Sequence, residues 1–409
     1  MTGLTAVTQA VYEHPPRTVG RRYGRPVTAR EEDWVGPPRY HTATAALPAP
    51  TRATAPTRTT VSARAAVPTP AAPAAGIRDR WFDLLRAAAI ARVVVHHMFP
   101  VTWLALAFPS MGVMFALGGS LMARSVDRSA TRAVRGRIRR LLPALWVLAA
   151  VLVPAMLVVG WDDRPEWPAL LLWLLPIVEP PAADWAEPVS GVLWYLVTYL
   201  WLVLLSPALL ALYRRARLLT VLAPLALLPL FQFVPWPFGD RSASVVEDVL
   251  TFAACWILGY AHRDGDLRRL RFATVLSISV VTTAGGMAWV LVHHIDLPDS
   301  PVAYSFYSIG FVLVLLRVAP RLEWLARHRR ADAAVTLLNS RAVTVYLWHN
   351  AAITAAFPLG DLLHLWRFDG TVAGIGYAVV AFWLLAMVVI HVGWVEDLSA
   401  RRRARLLPL

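Results

Sequence analysis

The chain has 409 residues, 57% of them hydrophobic and 16% charged, and its mean hydropathy is +0.51; these values exclude an ordinary soluble domain and indicate a polytopic membrane protein. The formal charge of +14 is carried by arginine alone, because the sequence contains no lysine. Its single cysteine, Cys255, lies in an apolar run, so there is neither a disulfide framework nor a cysteine-based zinc site, and a buried structural thiol is expected.

Residues 1–76 are rich in Pro, Ala, Thr and Arg and have no apolar periodicity. Such a segment cannot bury enough surface to offset the entropy of ordering, and a disordered cytoplasmic tail is predicted. Arg21-Arg22 lacks the apolar stretch that would make it an export signal. Residues 77–395 are read as an all-α transmembrane domain of about ten helices, at 81–103, 107–123, 141–160, 190–213, 218–234, 245–262, 272–295, 304–320, 333–357 and 370–393. Residues 396–409 form a basic C-terminal tail.

Arginine asymmetry predicts the orientation. Alternate turns hold Arg124 to Arg140, Arg214 to Arg217, Arg263 to Arg271 and Arg321 to Arg330, whereas the opposite loops hold only Arg164, Arg241 and Arg367. Positive charge stays inside, so both termini are expected in the cytoplasm of a multi-pass cell-membrane protein in contact with membrane lipid. The longest outer loop, Trp161 to Ser190, has a short apolar piece and is expected to lie at the interface or re-enter the membrane.

The first apolar run carries Asp83, Arg86 and His97. At 100° per residue Arg86 and His97 fall within roughly 20° of one another, with Asp83 on the same face and His97 roughly 16 Å deeper along the axis. A charged line on a spanning helix is costly in lipid and is expected to face an interior cavity. His349 in the ninth run reaches a similar outward depth, while His96 is rotated away from Arg86. These histidines fit either interhelical packing or chemistry. Asp83 could orient Arg86, and Glu247, with its neighbour Asp248, is a candidate partner for an imidazole or a helix cap. Arg137 and Arg140 stand three apart at the entry to the third run, where they suit either a positive-inside anchor or a phosphate. The sequence has no Walker loop, dinucleotide fingerprint, H-E-x-x-H or G-x-S-x-G, so ATP-driven transport and serine hydrolysis lose support, and neither a metal nor a nucleic-acid partner is expected.

Arg86 and His97 with ten residues between them, M-F-A-L-G-G-S-L-M at 114 to 122, R-I-R-R-L-L-P at 137 to 143, L-W-Y-L at 193 to 196 with Pro207, and V-Y-L-W-H at 345 to 349 form an ordered set. Together they resemble the acyltransferase 3 family of integral membrane acyltransferases. That resemblance implies a ten-helix fold and a cytoplasmic acyl-CoA donor, acetyl-CoA foremost. It also implies an acceptor hydroxyl on an extracytoplasmic glycan, lipid or secondary metabolite, with Arg86 and His97 as the family's first-span pair and Arg137 and Arg140 as its basic stretch. Many members carry a fused esterase-like domain that is not evident in these residues, which leaves the acceptor open. On this reading His97, with Arg86 and His349, would act at the thioester while Arg137 and Arg140 held the nucleotide phosphates, either by base catalysis or through an acyl-histidine. Two rivals use the same features differently: a glycan or lipid exporter lined by Arg and His, and a polyprenyl-linked glycosyltransferase using Asp162-Asp163.

Overall fold

The computed structural model describes residues 80–99, 101–318, 320 and 322–406; the predicted tail of residues 1–76 lies outside them. All regular structure among the described residues is helical, as it must be where a bilayer offers no water to satisfy backbone groups. The main helices are α1 (Arg80–Met98), α2 (Ser110–Val126), α3 (Ala130–Val159), α4 (Leu193–Arg215), α5 (Arg217–Phe231) and α6 (Asp240–Arg263). They continue with α7 (Phe272–His293), α8 (Pro301–Arg317), α9 (Arg329–Ser340), α10 (Ala342–Leu362), α11 (Gly370–Val392) and α12 (Trp394–Ser399). Five helices are long and apolar enough to cross a membrane, namely α3, α4, α6, α7 and α11 running on into α12, and the chain is a multi-pass membrane protein.

Several boundaries differ from the sequence-based expectation. The first run stops at Met98, two residues before Pro100, and a short helix, Thr102–Ala107, follows. The basic run before the third span is itself helical, so α3 extends for 30 residues and passes through Pro143 and Pro154 without a break. The ninth run is two helices. Asn339 Nδ2 donates to Val335 O at 2.8 Å and Ser340 Oγ to Leu337 O at 2.9 Å, so polar side chains turn back onto the last turn and end α9. A new helix then starts after Arg341, and His349 lies about two turns into it, much nearer its start than a single continuous span implies.

The core is built on the crossing of α2 and α6, where backbones approach too closely for any side chain. A Cβ on Gly119 would lie 2.0 Å from Trp256 O, and one on Gly259 would lie 2.2 Å from Ala116 O. This is the small-residue packing that replaces hydrophobic driving force between helices in lipid. Beside the crossing, Trp256 Nε1 donates to Ser206 Oγ at 3.0 Å and Tyr260 OH donates to the same oxygen at 2.9 Å. Ser206 in turn donates to Leu202 O at 2.6 Å, so this buried polar set joins α6 to α4.

One end of the bundle is rich in arginine and is fastened by ion pairs. Arg214 at the end of α4 reaches Asp264 at 2.8 Å and Asp127 at 2.8 Å, which ties together three inter-helix turns. At the foot of α1, Arg80 pairs with Asp332 of α9, and Asn339 donates to Asp83 O at 2.7 Å. Replacing Gly259 by Val should therefore cost more than about 3 kcal/mol, because its obstruction is backbone and cannot move aside. The measurement is the monodisperse yield and thermal midpoint of purified protein; a wild-type profile for the variant would show that the two helices do not meet so closely.

Candidate active site

On α1 the outward side is set by Ala88, Ala91, Val95 and Phe99, all exposed. The opposite side holds Asp83, Ile90, Val93 and Val94, all buried, together with Arg86 and His97. His97, one residue before the end of α1, lies on this side too and keeps part of its surface exposed.

The two histidines separated by some 250 residues of sequence meet there. The rings of His97 and His349 stand edge to face with centroids 4.8 Å apart. His349 is fully buried, whereas its partner ring His97 is partly exposed. His97 Nδ1 lies 2.9 Å from Val93 O and His349 Nδ1 lies 2.6 Å from Tyr346 O. A carbonyl can only accept, so Nδ1 carries the proton in both rings and each neutral imidazole keeps its lone pair on Nε2. Nε2 of His349 has no hydrogen-bond partner among the described residues. A narrow apolar crevice lined by Val94, Met98, Ile353, Ala381 and Phe382 adjoins it.

From the histidine pair a line of rings descends toward the arginine-rich end. Tyr346 lies 5.7 Å from His349, Tyr195 lies 4.8 Å from Tyr346, and Tyr199 lies 6.0 Å from Tyr195, centroid to centroid. Tyr195 and Tyr199 belong to α4 and carry no compensating acid. Instead, Arg86 has Tyr199, Arg137, Asp83 and Tyr195 as its electrostatic neighbours. Arg140 has Arg137, Arg402, Arg139 and Tyr199. Tyr199 thus stands between the first-span arginine and the basic stretch of α3. None of Arg86, Arg137 and Arg140 forms an ion pair among the described residues.

Asp83 places its carboxylate 3.2 Å from Arg80, which also pairs with Asp332, and it is an electrostatic neighbour of Arg86 as well. Glu247 meets neither imidazole. It sits on α6 with Asp248, whose neighbours are Glu179 and Glu247, and this carboxylate group lies beside Tyr346.

At the end away from the arginines, residues 161–192 fold into a cap held by indole donors. Trp185 Nε1 donates to Gly160 O at 3.0 Å, Trp173 to Pro181 O at 3.0 Å and Trp201 to Ile177 O at 2.8 Å. Tyr346 OH donates to Val192 O at 2.9 Å and Asn350 Nδ2 to Pro188 O at 2.8 Å, so the cap is tied directly to the helix of His349. Burial, and then the nearby Glu187, raise the Glu179 carboxyl above its ordinary value. Sequence reasoning missed Tyr195, Tyr199 and Tyr346 as site residues, although each lies in or beside a motif it had singled out. It also missed Arg92, a second mid-helix arginine whose Nε donates to Leu104 O at 3.3 Å and whose charged neighbourhood includes both His96 and His97.

The structure is thus that of a helical, multi-pass membrane protein in which an arginine of α1 shares a side with a histidine that meets a second imidazole. The family model of the acyltransferase domain, acyltransferase 3, matches residues 79–390, and the chain belongs to that family. No curated protein and no solved structure matches it.

Proposed function

We propose that this membrane acyltransferase takes its acyl group, acetyl foremost, from cytoplasmic acyl-CoA and delivers it to a hydroxyl of an extracytoplasmic glycan, glycolipid or secondary metabolite. The observation that carries this reading is the line from Arg137 and Arg140, whose guanidiniums form no ion pair among the described residues, past Arg86 and Tyr199, through Tyr195 and Tyr346 to the paired imidazoles. CoA is a polyanion that does not enter lipid, so its phosphates belong at the arginine-rich end. Forked guanidiniums suit them. The slender pantetheine arm then extends along the phenol-lined face, with Arg86 meeting its amides or the diphosphate partway in.

At the far end the thioester carbonyl lies at His97. Nε2 of His97 takes the proton of the acceptor hydroxyl as its oxygen attacks the carbonyl carbon, and the C–S bond breaks. The proton passes from the imidazolium to the departing thiolate, so the products are the ester and free CoA. His349 stands behind His97 and sets its ring orientation. Attack by Nε2 itself, giving an acyl-imidazole that the acceptor then cleaves, uses the same groups. The cap over the outer end, with Glu179 and Asp248 beside Tyr346, is where an outer acceptor enters.

Replacing His97 by Ala should cost activity by about two to four orders of magnitude, the usual range for a positioned acid or base, and His97→Gln should cost nearly as much because the amide keeps hydrogen bonding but not proton transfer. His96→Gln should cost far less. Acyl transfer from acetyl-CoA per folded, detergent-purified protein is the readout, with the acceptor found as the species that loses an acetyl mass in a deletion strain. Full turnover by His97→Gln would remove the residue from the chemistry, and an acceptor exported without any acyl-CoA requirement would favour the exporter reading. Single-cysteine labelling should find positions 167 and 298 accessible from outside the cell and positions 128 and 402 only from within, with buried Cys255 giving little background. Reversed accessibility would separate the arginines from cytosolic CoA.

A further inference from the structure

The C-terminal segment reads in sequence as a basic tail that anchors the last span, yet it is folded and fastened. Asp397 Oδ2 accepts from Arg341 Nη2 at 2.8 Å and from the backbone N–H of Arg405 at 3.1 Å. Arg341 Nη2 also donates to Arg405 O at 2.6 Å. Arg341 is fully buried at the break between α9 and α10, so this is an internal clamp and not a surface ion pair. Glu396 adds a second hold by accepting from the Thr344 N–H at 2.7 Å, which caps the first turn of α10, the helix of His349. Between the two clamped points the chain turns sharply. Arg402 N–H donates to Asp397 O at 2.7 Å, and Arg401 takes a left-handed conformation with φ of 57° that costs a non-glycine residue free energy.

The turn brings Arg402 into the charged neighbourhood of Arg140, together with Arg137 and Arg139. None of these four arginines has an ion-pair partner among the described residues, although Asp127, Asp264 and Asp266 elsewhere at this end are paired with arginine. Gathering like charges with no counter-ion is unfavourable, and a free tail would relieve it by moving away. Here a buried clamp and a strained residue hold the tail in place. A membrane anchor needs neither.

We infer that the C-terminal segment forms one wall of the donor's anion site and that Arg402 is a phosphate-binding residue beside Arg137 and Arg140, held there by the Arg341–Asp397–Arg405 clamp. This rests on the acyl-CoA reading given above. The ligand chemistry is a nucleotide bearing several phosphates, and the clamp makes its binding depend on a part of the chain remote in sequence from α3.

The test is binding of free CoA to the full-length purified protein by calorimetry, with thermal midpoints recorded alongside. Arg402→Gln should weaken CoA about tenfold, the value of one charge-assisted hydrogen bond at a partly open site, at an unchanged midpoint, and Arg402→Lys should recover part of the loss. In turnover the effect should fall on KM for acetyl-CoA with kcat retained. Asp397→Asn should reproduce the weakening and also lower the midpoint, since it unfastens Arg341. If Arg137→Gln weakens CoA and Arg402→Gln does not, the tail is an anchor and this inference fails while the donor reading stands. If the wild type binds no CoA, the donor reading itself fails.

Discussion

An arginine and an imidazole on one face of a helix cannot be left in hydrocarbon, and the arrangement of the bundle around α1 answers that constraint. Each polar group on the helix is given a protein surface to face: Arg86 the phenols of α4, His97 the buried ring of His349, and the foot of the helix the acid and amide of α9. The outward side of α1 is left to small and apolar residues. At the close crossing of α2 on α6 the backbones meet without intervening side chains, and farther along α6 Asp248 lies near Glu179 of the cap.

The site's asymmetry follows from its chemistry. One end gathers Arg137, Arg139, Arg140 and Arg402, which have no ion-pair partner among the described residues, the middle is lined by tyrosines that are polar without being charged, and the far end holds two imidazoles that turn Nδ1 to backbone carbonyls. Such a gradient would bind a polyanion at one end while keeping a reactive carbonyl in a region of low water content at the other, where a proton transfer is not short-circuited by solvent. The cap over the outer end is fastened by indole N–H groups of Trp173, Trp185 and Trp201 donating to backbone carbonyls.

Much of this was legible in the sequence because helical periodicity is a local property. The shared face of Arg86 and His97, the basic start of α3 and the apolar runs all follow from spacing along single helices. What spacing could not give was which helix faces which. The break at Arg341 escaped notice because Asn339 and Ser340 end a helix only through side-chain bonds that compete with the backbone, and because an arginine inside an apolar run looks like a charge to be tolerated and not a buried clamp. Glu247 and Asp248 were read as candidate imidazole partners or helix caps from depth alone, and α6 starts eight residues before Asp248, at Asp240, so neither acid stands at its cap. The tyrosines were visible in the L-W-Y-L and V-Y-L-W-H stretches, yet only their alignment in space shows that they join the two ends of the site.

The central claim is that an acyl group passes along one internal face from the arginine-rich end to the histidines. Sealed membrane vesicles of opposite sidedness, given acetyl-CoA labelled in the acetyl group from the bulk solution, test it most directly. Inverted vesicles, with the arginine-rich end outward, should incorporate label into an envelope component, and right-side-out vesicles should incorporate none because CoA does not cross the bilayer. Equal incorporation in both, or incorporation only in right-side-out vesicles, would contradict the account.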